Sequence, residues 1–183
     1  EIDIEGSKAK VINMTSQTWE GITWKHWLVM LCPEDAKNSD IALLVINGGS
    51  NKQSEPNLNS AEVRVASMVG KRTKSVIAVL FQVPNQPLFD GRNEDQIIAY
   101  TYDKYLNGEG DEWPLLLPMV KSAVRAMDTI QKVQKDTENH EIKRFLLTGG
   151  SKRGWTTWLT AATRDPRVVA IAPVVIDVLN MRE

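Results

Sequence analysis

Apolar residues in this chain fall into short unbroken runs separated by stripes of helical period. Ile41 to Ile46 is a continuous apolar run of six, as expected of a strand covered on both faces in a parallel sheet. Ser75 to Val83 reads as a second buried strand, stopped by Pro84, Arg144 to Thr148 as a short third one, and Val168 to Ile176 as the last strand. Between them lie three helical patterns. Asn59 opens the first, with Glu62 as capping-box partner, Ala61, Val65 and Met68 inward, and Gly70 at its end. The second, Asp111 to Gln134, carries Pro114 in its first turn and a stripe of Leu116, Val120, Ala123, Met127 and Ile130. The third starts at Lys152, with Trp155, Trp158, Leu159 and Ala162 at i, i+3, i+4 and i+7. Earlier, Lys10 to Met14 and Ile22 to Leu31 carry strand signals ended by Ser16-Gln17 and by Pro33-Glu34-Asp35, an expected antiparallel edge pair.

This order of strands and helices requires right-handed crossovers, so the chain is expected to be one α/β domain over residues 1–183, a mostly parallel sheet with helices on both faces. The stretch from Pro84 to Gly110 is polar and aromatic, with a helical segment from Glu94 to Leu106. It follows the carboxyl end of a strand, where open α/β sheets place their ligands, and reads either as a lid or substrate loop or as a surface insertion.

Composition adds exclusions. Twenty-two basic residues against 23 acidic ones, a formal charge of −1 and no basic block give no reason to expect nucleic acid. The longest apolar run, Val168 to Ile176, is nine residues and contains Pro173. A membrane helix needs roughly 20. Cys32 is the single cysteine, so no internal disulfide exists. The six tryptophans are expected in the core rather than on a sugar-stacking platform.

The chemistry concentrates at Gly149-Gly150-Ser151-Lys152-Arg153-Gly154, a tight turn from strand to helix with a serine at its apex. Such a turn lifts the hydroxyl out of the sheet, while the first free N–H groups of the following helix face whatever binds there. The usual nucleophile elbow is G-x-S-x-G; here the second glycine arrives one residue late, and Arg153 stands in the small position. Two other readings compete. A P-loop would need Lys where Trp155 stands, and an ordinary βα turn would use Ser151 only as a helix cap. In a parallel sheet, however, Gly48-Gly49, the loop after Val83, Ser151 and Asp177 all follow strands and should gather on one edge, which favours a catalytic site.

Further motifs are spread along nearly the whole chain: Thr15-Ser-Gln-Thr-Trp19, Trp24-Lys-His-Trp27, Ala42 to Asn51 with its Asn-Gly-Gly-Ser-Asn ending, Trp113-Pro-Leu-Leu-Leu-Pro-Met119, Leu147 to Trp155, and Asp165-Pro-Arg167 through Asp177. Together they resemble the PhoPQ-activated pathogenicity-related proteins, a family that includes autocrine proliferation repressors, within the α/β-hydrolase superfamily. The late glycine is also similar to that of glucuronoyl esterases, where a basic residue follows the serine. The resemblance implies export, to the periplasm or outside the cell, and a serine-hydrolase-like site acting on a small-molecule or peptide substrate. Ser151 would be the nucleophile. The N–H of Lys152 and one from the Gly48-Gly49-Ser50 loop would form the oxyanion hole, and Asp177 would be the triad acid or a substrate contact. The Lys152 side chain is either a further cationic donor or a solvated lysine at a helix start. No cofactor or metal is called for.

The base is missing from this scheme. A serine hydroxyl needs a histidine, and the chain has only His26 and His140. His140 precedes the elbow strand; eight residues to Thr148 at ~3.3 Å each put it on the wrong edge of the sheet. His26 lies within an early strand and is expected to be structural. In α/β-hydrolases the histidine follows the final strands, so the chain is expected to be incomplete, with the rest of the same protein completing the site. Besides the hydrolase, two further functions fit the sequence: a secreted signalling or binding protein on a hydrolase scaffold, and anion binding at the Lys152-Arg153 helix start.

Overall fold

The computed structural model describes residues 2–4 and 6–176, and its strands form one seven-stranded sheet. In chain order they are β1 (Ile2–Ile4), β2 (Ser7–Trp19), β3 (Ile22–Pro33), β4 (Ile41–Ile46), β5 (Val76–Leu80), β6 (Arg144–Gly150) and β7 (Val168–Val174). Across the sheet the order is β1-β2-β3-β5-β4-β6-β7. The first three strands are antiparallel to their neighbours, whereas β5, β4, β6 and β7 run parallel. Four α-helices, α1 (Ala61–Thr73), α2 (Asp95–Leu106), α3 (Leu116–Glu138) and α4 (Lys152–Ala162), complete this α/β fold.

The edge pair is longer than its sequence signals. β2 runs straight through Ser16-Gln17, absorbing the irregularity as a register shift between Thr15 and Gln17. The chain reverses instead at Glu20-Gly21, where φ values of 47° and 72° make the mirror-image turn that matches strand twist. Short β1, outside the sequence expectation, pairs on the outer edge of β2.

Apolar side chains form two cores, one on each face of the sheet. On one face Leu28, Leu44, Ala78, Phe145 and Leu147 pack under the α3 stripe of Leu116, Ala123, Met127 and Ile130. On the other, Val29, Leu31, Ile77 and Val79 meet Val63 and Ala66 of α1. Helices therefore lie on both faces, as expected.

Two helices bury a face that differs, wholly or in part, from the expected stripe. In α1 the buried residues are Val63, Ala66, Ser67 and Gly70, while Val65 and Met68 are more than half exposed at 57% and 51%. Its cap is Ser60, whose Oγ accepts from the Val63 N–H, and it continues past Gly70 to Thr73. Gly70 is needed for close packing: a Cβ there would lie 3.0 Å from Ile77 and 3.2 Å from the Ser75 carbonyl. In α4 the fully buried residues are Gly154, Thr156, Thr157 and Thr160; Trp155 and Leu159 of the expected stripe are half-buried against the α3-side core, whereas Trp158 is exposed. These threonines can be buried because each hydroxyl donates to the carbonyl four residues back, at 2.7–2.9 Å.

The segment after β5 is not a surface insertion. Val83, Leu88 and Ile97 are buried in the α3-side core, and Phe89 stacks with Trp19, Tyr100 and Trp113. Trp19 and Trp24 lie in the core as expected, with ring centroids 5.5 Å apart.

Candidate active site

Register brings the bends together. Ile46 of β4 pairs with Leu80 of β5 on one side and Gly149 of β6 on the other, and Gly150 pairs with Val174 of β7. All four parallel strands therefore end at the same level of one edge. Gly48-Gly49, Gln82-Val83 and Ser151 leave the sheet there side by side; Asp177 lies outside the described residues.

The turn at Ser151 is a strained elbow, with φ 55° and ψ −123°. A non-glycine residue held there costs on the order of 1–3 kcal/mol. The Ser151 N–H donates to the Val174 carbonyl (2.9 Å), which pins the apex to β7. Its side chain is half-exposed, and the hydroxyl has no hydrogen-bond partner among the described residues.

The glycines explain the irregular motif. A Cβ on Gly149 would meet the Arg153 carbonyl oxygen at 2.7 Å, and one on Gly154 would meet Ile176 at 2.5 Å and the Val174 carbonyl at 2.9 Å. The late glycine is thus set by the approach of α4 to the end of β7. Gly150, by contrast, has nothing within 4 Å of the corresponding point.

The diglycine loop is held by amide side chains. Asn47 Oδ1 accepts the Gly48 N–H (2.9 Å), Gln53 Oε1 accepts the Ser50 N–H (3.1 Å), and Gln82 Nε2 donates to the Ser50 carbonyl (2.9 Å). Asn51 Nδ2 donates to the carbonyls of Asn85 and Pro87, fastening the loop to the segment after β5. Of the three expected oxyanion donors, Gly48 and Ser50 thus have their N–H groups engaged. Among the described residues the Gly49 N–H has no partner, nor does the N–H of Lys152 in the first turn of α4. Gly49 adopts φ 132°, a conformation that a side chain would strain. The sequence reading missed Asn47, Gln53 and Gln82; the signal was the concentration of Asn and Gln around Gly48-Gly49 and after Phe81.

Both cations of the elbow are paired. Lys152 Nζ lies 3.1 Å from Asp95 and 3.7 Å from Glu94, and Arg153 donates to both carboxylate oxygens of Glu94. Burial pushes the Glu94 carboxyl up, but hydrogen bonds from Arg153 and Gln86 and the charges of Arg153 and Lys152 outweigh it and leave the carboxyl below the usual range. With its ammonium tied to the start of α2, Lys152 offers the site its backbone amide.

Neither histidine serves Ser151. His26 is buried between Ser16 Oγ, 3.0 Å from Nε2, and the Phe81 carbonyl, 3.1 Å from Nδ1. A carbonyl only accepts, so Nδ1 carries the proton and the Ser16 hydroxyl donates to Nε2. Burial lowers the pKa of this ring to about 4 against the opposing pull of the Phe81 and Gln82 carbonyls, so it is neutral. His140 lies at the opposite edge, with Nε2 2.6 Å from the Ser39 carbonyl just before β4.

A cavity of about 690 Å³ opens off the diglycine loop, walled by Trp27, Phe81, Gln53, Asn57 and Gln82. Ser151 does not line it. Among the described residues no group of three His, Cys, Asp or Glu side chains could hold a metal ion, and no helix is long and apolar enough to cross a membrane.

The profile of the PhoPQ-activated pathogenicity-related protein family matches residues 1–183. The chain belongs to that family. Autocrine proliferation repressor protein A of Dictyostelium discoideum is 36% identical over 191 residues, an alignment covering 98% of this chain and 38% of the relative. The family member described here therefore spans well under half the length of that curated relative. Among solved structures, a glucuronoyl esterase from Solibacter usitatus aligns with TM-score 0.54 and 16% identity, covering 92% of this chain and 47% of that one. The LpqC poly(3-hydroxybutyrate) depolymerase from Bordetella parapertussis gives 0.55 and 12%, over 91% and 51%. At these identities the likeness is one of fold: the family member has an α/β-hydrolase scaffold.

Proposed function

We propose that this chain carries the nucleophile and oxyanion half of a serine hydrolase acting on an ester or amide. Ser151 Oγ attacks the substrate carbonyl carbon and passes its proton to a histidine base that neither His26 nor His140 supplies, with Asp177 as the acid partner. The carbonyl oxygen, now negative, is met by the N–H groups of Lys152 and Gly49. Collapse of the tetrahedral species expels the alcohol or amine, which takes the proton, and water then hydrolyses the acyl-serine by the same steps in reverse. The observation that carries this reading is the strained φ of 55° at Ser151, one bend away from a glycine loop in which every amide but one is engaged. Strain of this kind persists where the surrounding structure enforces it, commonly at functional sites.

The test is labelling of the native protein, with any sequence that flanks this chain, by a fluorophosphonate probe. Modification at Ser151 that disappears in Ser151→Ala supports the reading; an unlabelled native protein removes it.

A second reading is a non-catalytic exported signalling or binding protein on the same scaffold. What favours it is the absence of a histidine near Ser151 among the described residues, together with the name of the Dictyostelium relative, a proliferation repressor. On this reading Ser151→Ala leaves the biological effect intact.

A further inference from the structure

We propose that Arg153 is a positioning residue, anchored by Glu94, that locks the nucleophile bend to the diglycine bend; the inference rests on the serine-hydrolase reading of the same site. Arg153 occupies the elbow position normally held by a small residue, and its side chain is 12% exposed. Rather than crowding its own turn, it runs beneath the neighbouring one. A Cβ built on Gly48 would lie 2.5 Å from Nη2 and 2.9 Å from Cζ of Arg153. The bulk at residue 153 is therefore accommodated by the missing side chain at residue 48, on a different strand end.

The guanidinium then joins the third bend. Its Nε donates to the Val83 carbonyl (2.6 Å), so the turns after β4, β5 and β6 all touch this one side chain. Its two terminal nitrogens donate to the two oxygens of Glu94, at 3.1 and 2.5 Å. Glu94 is itself held fast. Its N–H donates to Gln86 Oε1 (2.8 Å), Gln86 Nε2 donates back to its carboxylate (2.9 Å), and its backbone sits at φ 46° before α2. Gln86 in turn accepts the Asn51 N–H at its carbonyl, which closes a ring from the elbow through Glu94 and Gln86 to the diglycine loop.

A forked, planar cation with donors in three directions can make this junction, and lysine cannot. Oxyanion donors work only when held at the position where the charge develops, and a displacement of about 1 Å can cost ~10²-fold in rate. Arg153 contacts no reacting atom; it fixes the separation of the Lys152 and Gly49 amides. Glu94 and Asp95 already take the charges of Arg153 and Lys152, so neither cation of the helix start is left uncommitted for a free anion.

The experiment compares native protein with Arg153→Ala and Glu94→Gln, which keeps the shape of Glu94 and removes its charge. Two readouts are used: fluorophosphonate labelling of Ser151, and hydrogen exchange of the backbone amides. Both substitutions should slow labelling by about 10- to 100-fold and speed exchange at residues 48–51 and 151–155 while leaving α3 unchanged. Guanidinium at low millimolar concentration should restore labelling in Arg153→Ala and have no effect on the native protein. A merely structural arginine would lower the melting temperature without this rescue. Unchanged exchange in both bends overturns the proposal, and Glu94→Gln decides alone if Arg153→Ala does not fold. If the native protein is not labelled, the hydrolase reading fails, while the exchange comparison still decides whether Arg153 holds the two bends together.

Discussion

His26 and Ser16 make the serine–histidine hydrogen bond, 3.0 Å from Oγ to Nε2, that the elbow serine does not make among the described residues. The pair is buried in the β2–β3 hairpin, and it predicts an acid-sensitive fold. The folded ring stays neutral down to a pKa of about 4, whereas an unfolded one takes up its proton near 6.5. Between these values the unfolded state binds more protons, so stability falls as the pH falls. The expected loss from pH 7 to pH 4 is about 3 kcal/mol. Urea denaturation at several pH values checks this, and His26→Gln should flatten that part of the profile.

The two glycines before the nucleophile should differ in their tolerance of substitution. Gly149→Ala drives a methyl against the Arg153 carbonyl at 2.7 Å, backbone that cannot rotate away. A loss of about 1–3 kcal/mol is expected. Gly150→Ala meets nothing within 4 Å and should fold nearly as well as the native chain. Equilibrium denaturation of the two variants makes the comparison.

Ser151 should trade stability for geometry. At φ 55° a side chain is strained, so Ser151→Gly should be more stable than Ser151→Ala by on the order of 1 kcal/mol although neither can be acylated. Equal melting temperatures for the two would mean that the elbow stores no strain.

The start of β7 depends on a fork at Arg167. Its guanidinium donates to Asp165 through Nε (3.0 Å) and Nη2 (2.7 Å), and through Nη1 to Asp128 (2.7 Å) and Gln131 (2.8 Å) on α3. Arg167→Lys keeps the charge but not the fork and should destabilise the fold by about 1–3 kcal/mol. The hydrogen bond from Arg167 holds the Asp165 carboxyl below its usual pKa despite partial burial. Its contribution is thus present at neutral pH and lost as the pH falls below about 4. Asp165→Asn should remove that acid-dependent part in denaturation curves.

The unbroken apolar run of β4, the stripe of α3 and the strand–glycine–serine–helix succession at residues 144–162 were legible because each is a local pattern with one period. The alternation of strand and helix then dictated a parallel edge, and with it the gathering of Gly48-Gly49 and Ser151. The buried face of α1 was not legible, and that of α4 only in Trp155 and Leu159. Both helices carry two sets of residues at helical spacing, and only docking on the sheet selects Val63 and Ala66 over Val65 and Met68. In α4 it selects threonines, polar by pattern, whose hydroxyls are satisfied within the helix.

By itself the sequence determined the scaffold and the serine at its bend, since backbone propensity and hydrophobic period act between near neighbours. Which amides remain free, where the elbow cations point and why Arg153 is tolerated were decided only by the tertiary structure. They depend on Gly48, Val83, Glu94 and Arg153, which lie far apart in the chain and meet because three parallel strands end at one level.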